Sequence, residues 1–348
     1  MKRIILMLLT AIALPICANK SEINYAEEII LRFGDQVLSK TNLPAKFRTC
    51  KDPLSNDSLL QGLREINASG SAEFSADNFE NMINEIRVKG GQDAIDITII
   101  DLRKESHCFI NGISYHWYLQ PKNKLYYADY NLNKTTAEIE QDELIRIHQL
   151  SLKDEFTAFY PTAAEQYPIK IDFSNHKTFS IETITNEKEL VTKHGAHYFR
   201  LPIIDRYPPT PEQIDAFLTF IKSHKNTWFH FHCYAGLGRT TIFFAFLDMM
   251  HNAKNVSLET IIERHALLGG EKLLDQSGTG IIKESQEERS IVTRSLYQYC
   301  KENNDDYTTS YSSWLNKKNE KPVEAQPSTD KLTDNNVHKK FKSMRIQL

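Results

Sequence analysis

Cys233 and Arg239 stand six positions apart with Gly236 and Gly238 between them, a spacing that could put a sulfur nucleophile and a forked cation around one phosphate. A thiolate attacks where a thiol does not, and a thiol of pKa about 8.5 ionises more readily at a helix N-terminus beside a guanidinium. The guanidinium can bond two phosphate oxygens at once. The loop Tyr234-Ala235-Gly236-Leu237-Gly238 must turn sharply, and its glycines permit backbone angles that other residues resist. Successive N–H groups can then converge on one anion at the start of a helix. A thiolate at the base of that cup is a nucleophile facing phosphorus. Of the five cysteines, only Cys233 has an arginine six positions later.

Two elements must hold this loop. Trp228 to His232 is aromatic and alternating, which predicts a buried strand, and Thr240 to Met250 is apolar nearly all round, which predicts a helix inside a core. Further out, Ile95 to Leu102 predicts a β-branched strand that empties into the polar run Arg103 to Gly112, including His107. Such a run belongs at the carboxyl edge of a sheet, where α/β sites form. Thr210 with Gln213 makes a capping box and Pro211 suits the first helical position, so a helix starts there, with Ile214, Phe217, Leu218 and Ile221 buried. Ser75 caps a helix through Phe79, Met82 and Ile83. Residues 22–36, with Ile23, Ala26, Ile29, Ile30 and Phe33, predict a short helix, and Ile291 to Tyr299 another.

The string His232-Cys-x-Ala-Gly-x-Gly-Arg-Thr-Thr241 resembles the phosphate loop of cysteine-dependent protein tyrosine phosphatases, and in particular that of the protein-tyrosine-phosphatase-like (PTP-like, or cysteine) phytases. A second stretch, Asp101-Leu-Arg-x-Glu-Ser-His-x-Phe-x-Asn-Gly112, is similar to the same family, as are Ser69-Gly-Ser71 and Ile262 to Gly270. The resemblance covers most of residues 40–315. It implies an α/β cysteine phosphatase fold, a mixed central sheet flanked by helices, with a small β-rich subdomain inserted over about 113–177. It also implies a general acid, Asp205, in the proline-rich loop before Thr210. Thr240 would hydrogen-bond the Cys233 sulfur and His232 would help hold the thiolate. The implied substrate is inositol hexakisphosphate, a small polyanion, with no metal or cofactor. Its phosphates would meet the loop residues Tyr234 to Gly238 and the basic candidates Arg48, Lys177, Arg206, His107, Lys283 and Arg289. On residue type alone, Lys46 and Arg48 read as solvated surface and His107 reads equally as a structural histidine. Tyr234 stands where many cysteine phytases carry Glu, and Ser290 where relatives tend to carry Lys. A phosphoinositide or phosphotyrosine phosphatase is the alternative, and a phosphate-binding module without turnover the next.

The whole chain has 348 residues, 41% hydrophobic content and a formal charge of −3, which suits a globular protein and gives no global basic excess for nucleic acid. Lys2-Arg3, an apolar run to Leu14 and Pro15-Ile16-Cys17-Ala18 predict an export signal over 1–18, hence a periplasmic or secreted protein whose mature chain has no membrane span. The spacing of Cys50, Cys108, Cys233 and Cys300 suggests no disulfide framework. Residues 316–348 are polar and predict a disordered tail. Nothing in the sequence fixes an oligomeric state.

Overall fold

A computed structural model describes residues 28–34, 42–91, 96–120, 131–160 and 175–320. The stretch 1–18 expected to be an export signal, the segments 121–130 and 161–174 of the expected insert and the tail beyond 320 lie outside the described residues. In chain order the elements are β1 (Glu28–Phe33), β2 (Arg48–Thr49), β3 (Ala68–Ser71), α1 (Ala76–Gly90), β4 (Asp96–Arg103), β5 (His107–Ile110), β6 (Ile113–Gln120), α2 (Thr136–Ser151), β7 (Glu155–Phe159) and β8 (His176–Ser180). They continue with β9 (Ile184–Thr185), α3 (Glu187–Lys193), β10 (His197–Ile203), α4 (Pro211–Ser223), β11 (Thr227–His232), α5 (Gly238–Asn252), α6 (Leu258–Leu267), α7 (Gly280–Glu302) and α8 (Tyr311–Glu320).

The sheet that carries the phosphate-type loop runs β10-β4-β11-β3-β2. Its first four strands are parallel and β2 is antiparallel to β3, so the sheet is mixed. Parallel strands need both faces covered. On one face Ile97, Ile99 and Trp228 pack with Phe79, Met82 and Ile83 of α1 and Leu190 and Val191 of α3. On the other Ile100, Leu102, Phe229 and Phe231 pack with α4, through Ile214, Phe217, Leu218 and Ile221, and with α5. The predicted caps are in place: Ser75 accepts from Asn78 N, and Thr210 and Gln213 form the reciprocal box with Pro211 opening α4. The result is the α/β fold with a mixed sheet flanked by helices that the motifs imply.

The second sheet is larger than an insert over 113–177 would make. Its order is β8-β7-β1-β6-β5-β9, so it draws β1 from the N-terminal part and β5 and β9 from beyond those bounds. Its core holds Leu31, Phe33, Cys108, Ile110, Tyr115, Trp117, Phe156 and Ala158, with Ile147 and Leu150 of α2 packed against it. Asn111 and Gly112, both with positive φ, close the β5–β6 hairpin in two residues. The helix expected over 22–36 is instead β1 across Glu28–Phe33. Cross-strand pairing with β6, from Glu28↔Gln120 to Phe33↔Tyr115, overrides a mixed local pattern too short to fix its own period. At the other end α8 continues through Glu320, five residues into the stretch expected to be disordered. There Lys318 pairs with Glu302 at 2.7 Å and covers the Trp314 ring.

Candidate active site

Strand β11 delivers Cys233, which is buried, to the end of the first sheet, and α5 begins five residues later. Gly236 has φ +69, and a Cβ on it would lie 2.4 Å from Ala72 N, so both backbone angle and space require glycine there. A Cβ on Gly238 would lie 2.6 Å from an Nη of Arg289, a contact the end of that flexible side chain can relieve by shifting. No side chain among the described residues caps α5, and its N-cap position, Leu237, has non-helical angles (φ −104°, ψ −92°). The N–H groups of its first turn and the positive end of its dipole therefore face the loop. Thr240 Oγ1 donates to Cys233 Sγ at 3.1 Å.

Arg239 is buried and held as a fork. Its two terminal nitrogens donate to the two oxygens of Glu105 at 2.8 and 2.9 Å, and one also donates to the Ile203 carbonyl at 3.1 Å. The other meets Asp205 Oδ1 at 3.0 Å. Burial alone would push the Glu105 carboxyl up, but Arg239 and then Arg103 hold it well below the usual range. Burial likewise disfavours the Arg239 charge, and Glu105, Asp205 and Cys233 more than restore it. Asp205 is more than a third exposed and sits in the turn closed by Tyr207 N donating to Ile204 O. Its neighbour Arg206, also partly exposed, adopts φ +68, and the Arg206 carbonyl accepts from Ser285 Oγ. A non-glycine residue in that region is locally strained.

Tyr234 is half-buried, with the Arg32 and Arg103 guanidiniums 5.5 and 5.8 Å from its ring centre and His116 edge-on at 5.1 Å. Burial, Arg32 and Arg103 together push the His116 imidazole far below its ordinary pKa, so it is neutral. Arg289, buried, bonds Glu271 at 2.6 Å beside Gly238.

Three predicted contacts are placed differently. Arg48 is not at a pocket mouth and not solvated: it is 1% exposed beneath the loop, donating to Gly236 O at 2.9 Å and Thr241 Oγ1 at 3.1 Å. His107 is fully buried, with Nε2 on Glu187 at 2.8 Å and Nδ1 on the Glu105 carbonyl at 3.0 Å, so it has no ring nitrogen left for a substrate phosphate; His232 shares Glu187 at 2.7 Å. Lys177 lies exposed on β8 over the Phe179 ring, four strands from β5 and so about 19 Å away at sheet spacing. Lys283 is exposed on α7. Glu187, Asp101 and His232 lie close enough to hold a metal ion, but their ligand atoms are engaged: Asp101 accepts from Arg103 N and Tyr198 OH, and Glu187 from both imidazoles.

Sequence reasoning missed Glu105, Arg32, His116 and Glu271. Glu105 lies inside the 101–112 motif and was within reach of that signal. Arg32 and His116 face each other across β1 and β6, a pairing that neither local sequence announces.

A loop of this construction, at the end of a parallel α/β sheet with a thiol inside and a guanidinium across it, defines the class of cysteine-phosphatase folds. Comparison narrows it. The family model of the PTP-like phytases, described by the words inositol hexakisphosphate, matches residues 100–251. The tandemly repeated PTP-like phytase of Mitsuokella multacida superposes with a TM-score of 0.70 at 29% identity, over 82% of this chain and 49% of that one. The PTP-like myo-inositol phosphatase of the same organism, in complex with myo-inositol-(1,3,4,5)-tetrakisphosphate, gives 0.69 at 30% identity over the same shares. Effector protein hopD2 of Pseudomonas syringae pv. tomato is 26% identical over 280 residues, 77% of this chain and 56% of that protein. This chain is similar to the PTP-like phytase family, whose model it matches over residues 100–251, and it spans about half the length of these relatives.

Proposed function

We propose that this chain hydrolyses phosphate monoesters through a phosphocysteine intermediate, and that its substrate is an inositol polyphosphate. The observation that carries the reading is the cluster itself: Thr240 Oγ1 3.1 Å from Cys233 Sγ, and Asp205 3.0 Å from Arg239 in the same loop. Cys233 Sγ forms a bond to phosphorus as the ester O–P bond breaks, and Asp205 gives its proton to the leaving oxygen. Arg239 and the loop N–H groups hold the charge on the equatorial oxygens. Water then attacks phosphorus, Asp205 takes its proton, and the S–P bond breaks to return a thiolate that accepts from Thr240. The match to the family model and the tetrakisphosphate bound to the Mitsuokella relative support the inositol ring as carrier.

One observation favours a second reading, a phosphoinositide or phosphotyrosine substrate. Arg48 and Lys177 leave the cup with fewer cations than a hexakisphosphate would engage, and Tyr234 lines it with an aromatic ring. Phosphate release from inositol hexakisphosphate, in chelator and reductant, separates the readings when wild type and Cys233→Ser are compared. Release abolished by the substitution is the expected result. Cys233-dependent release from phosphoinositide or phosphotyrosine alone would keep the chemistry and replace the substrate. Silence on all three would discard the enzyme reading.

A further inference from the structure

Arg48 is a buried cation that the mechanism above does not use. It sits on β2, the short edge strand, paired antiparallel with Gly70 of β3. One terminal nitrogen donates to Lys46 O at 3.0 Å and to Gly236 O at 2.9 Å, and the other to Thr241 Oγ1 at 3.1 Å. Thr241 Oγ1 in turn accepts from Glu271 N at 3.1 Å, so the same guanidinium ties the phosphate-type loop to the turn after α6. Among the described residues no carboxylate bonds Arg48, whereas Arg103, Arg200, Arg239, Arg264 and Arg289 each have at least one. A buried cation without an anion is costly unless an anion arrives.

We propose that Arg48 is a positioning residue for the nucleophile: from beneath the loop it holds the Gly236 carbonyl turned out of the cup, and its unbalanced charge is matched by the Cys233 thiolate. Turning one carbonyl outward leaves the neighbouring N–H groups facing in, which is the arrangement an anion requires. Burial lowers the Arg48 guanidinium to about 10, and the negative sulfur of Cys233 opposes that fall. The other charged or titratable groups around the thiol are Arg239 of α5, with Glu105 and Asp205 beyond it, and His232 of β11, backed by Glu187.

The proposal rests on the reading of Cys233 as nucleophile, yet its test needs no substrate. The rate of Cys233 alkylation by iodoacetamide is measured against pH in the full chain, with Cys233→Ser supplying the background from the four other cysteines. Arg48→Gln and Arg48→Met are neutral, and Arg48→Lys keeps the charge but not the fork. The neutral variants should raise the midpoint of the titration by about one pH unit and Arg48→Lys should restore most of it. Thermal melting establishes that each variant is folded, and if one neutral variant is not, the other carries the comparison. A folded neutral variant with the wild-type midpoint, or a lysine variant shifted as far as the neutral ones, overturns the proposal. If the midpoint moves as expected while the wild type releases no phosphate from any ester, the phosphatase reading fails and this inference stands.

Discussion

At the residue scale, the side chains divide by what they touch rather than by their charge. Asp205 is the partly exposed carboxylate at the Arg239 fork, while Glu105 fills the other side of that fork and is itself held by Arg103. Asp205 is the more exposed of the two, at 38% against 19%, and so the one placed to meet a leaving oxygen. Asp205→Asn should therefore lower kcat about 10²-fold or more on inositol phosphates, whose alkoxide leaving groups need a proton. The loss should be much smaller on nitrophenyl phosphate, whose phenolate leaves without one. Equal losses on both esters in steady-state assays would remove Asp205 from the acid role. Arg239→Lys keeps the charge but cannot bond both Glu105 oxygens and the Ile203 carbonyl together. It should cost about 10²-fold or more in kcat/KM, the size seen when a donor to the transition-state oxygens is lost.

At the scale of elements, the loop is fixed by what presses on it. The Cβ of a Gly236→Ala variant would meet Ala72 N of the segment leaving β3 and would be held at φ +69. Strain of about 1–3 kcal/mol should appear as a lower melting temperature, and turnover should fall with it, because the N–H groups it displaces are those facing the anion. Strand, loop and helix around Cys233 were legible because each is written in consecutive residues: aromatic alternation, glycines, an apolar helix. The capping box at Thr210 and Gln213 and the buried face of α4 were legible for the same reason. What was hidden is what pairing decides. β1 carries Arg32 to Tyr234 only because it lies against β6, and Arg48 reads as surface until β2 folds it under the loop. A basic residue in a polar segment carries no mark of the carbonyl it will bond.

At the scale of the whole molecule, Glu187 at the start of α3 is where the two sheets meet electrostatically. It accepts from His107 on β5 of the second sheet and from His232 on β11 of the first, and all three are buried. Burial alone would push the Glu187 carboxyl up, but His232 and His107 hold it well below the ordinary range. A group depressed on folding contributes stability that is fully present above its unfolded pKa of about 4.3 and is lost as pH falls through its folded value. His107 has the opposite sign: burial and Arg103 lower it, Asp101, Glu143 and Glu187 raise it further, and its contribution is present below about 6.5 and lost as pH rises through its folded value. Both contributions coexist between about pH 4.3 and 6.5. Glu187→Gln leaves two imidazoles facing a neutral amide, and removing one partner of a buried charged cluster costs about 3 kcal/mol or more. The variant should melt roughly 6–12 °C below wild type at pH 6. The gap should narrow as pH falls from about 4.3 toward 3, because the unfolded wild type then takes up a proton on Glu187 that its folded state still refuses, and part of what the variant lacks is lost. A calorimetric gap that stays constant from pH 6 to 3 would mean that shape, and not the shared carboxylate, joins the two sheets behind the phosphate loop.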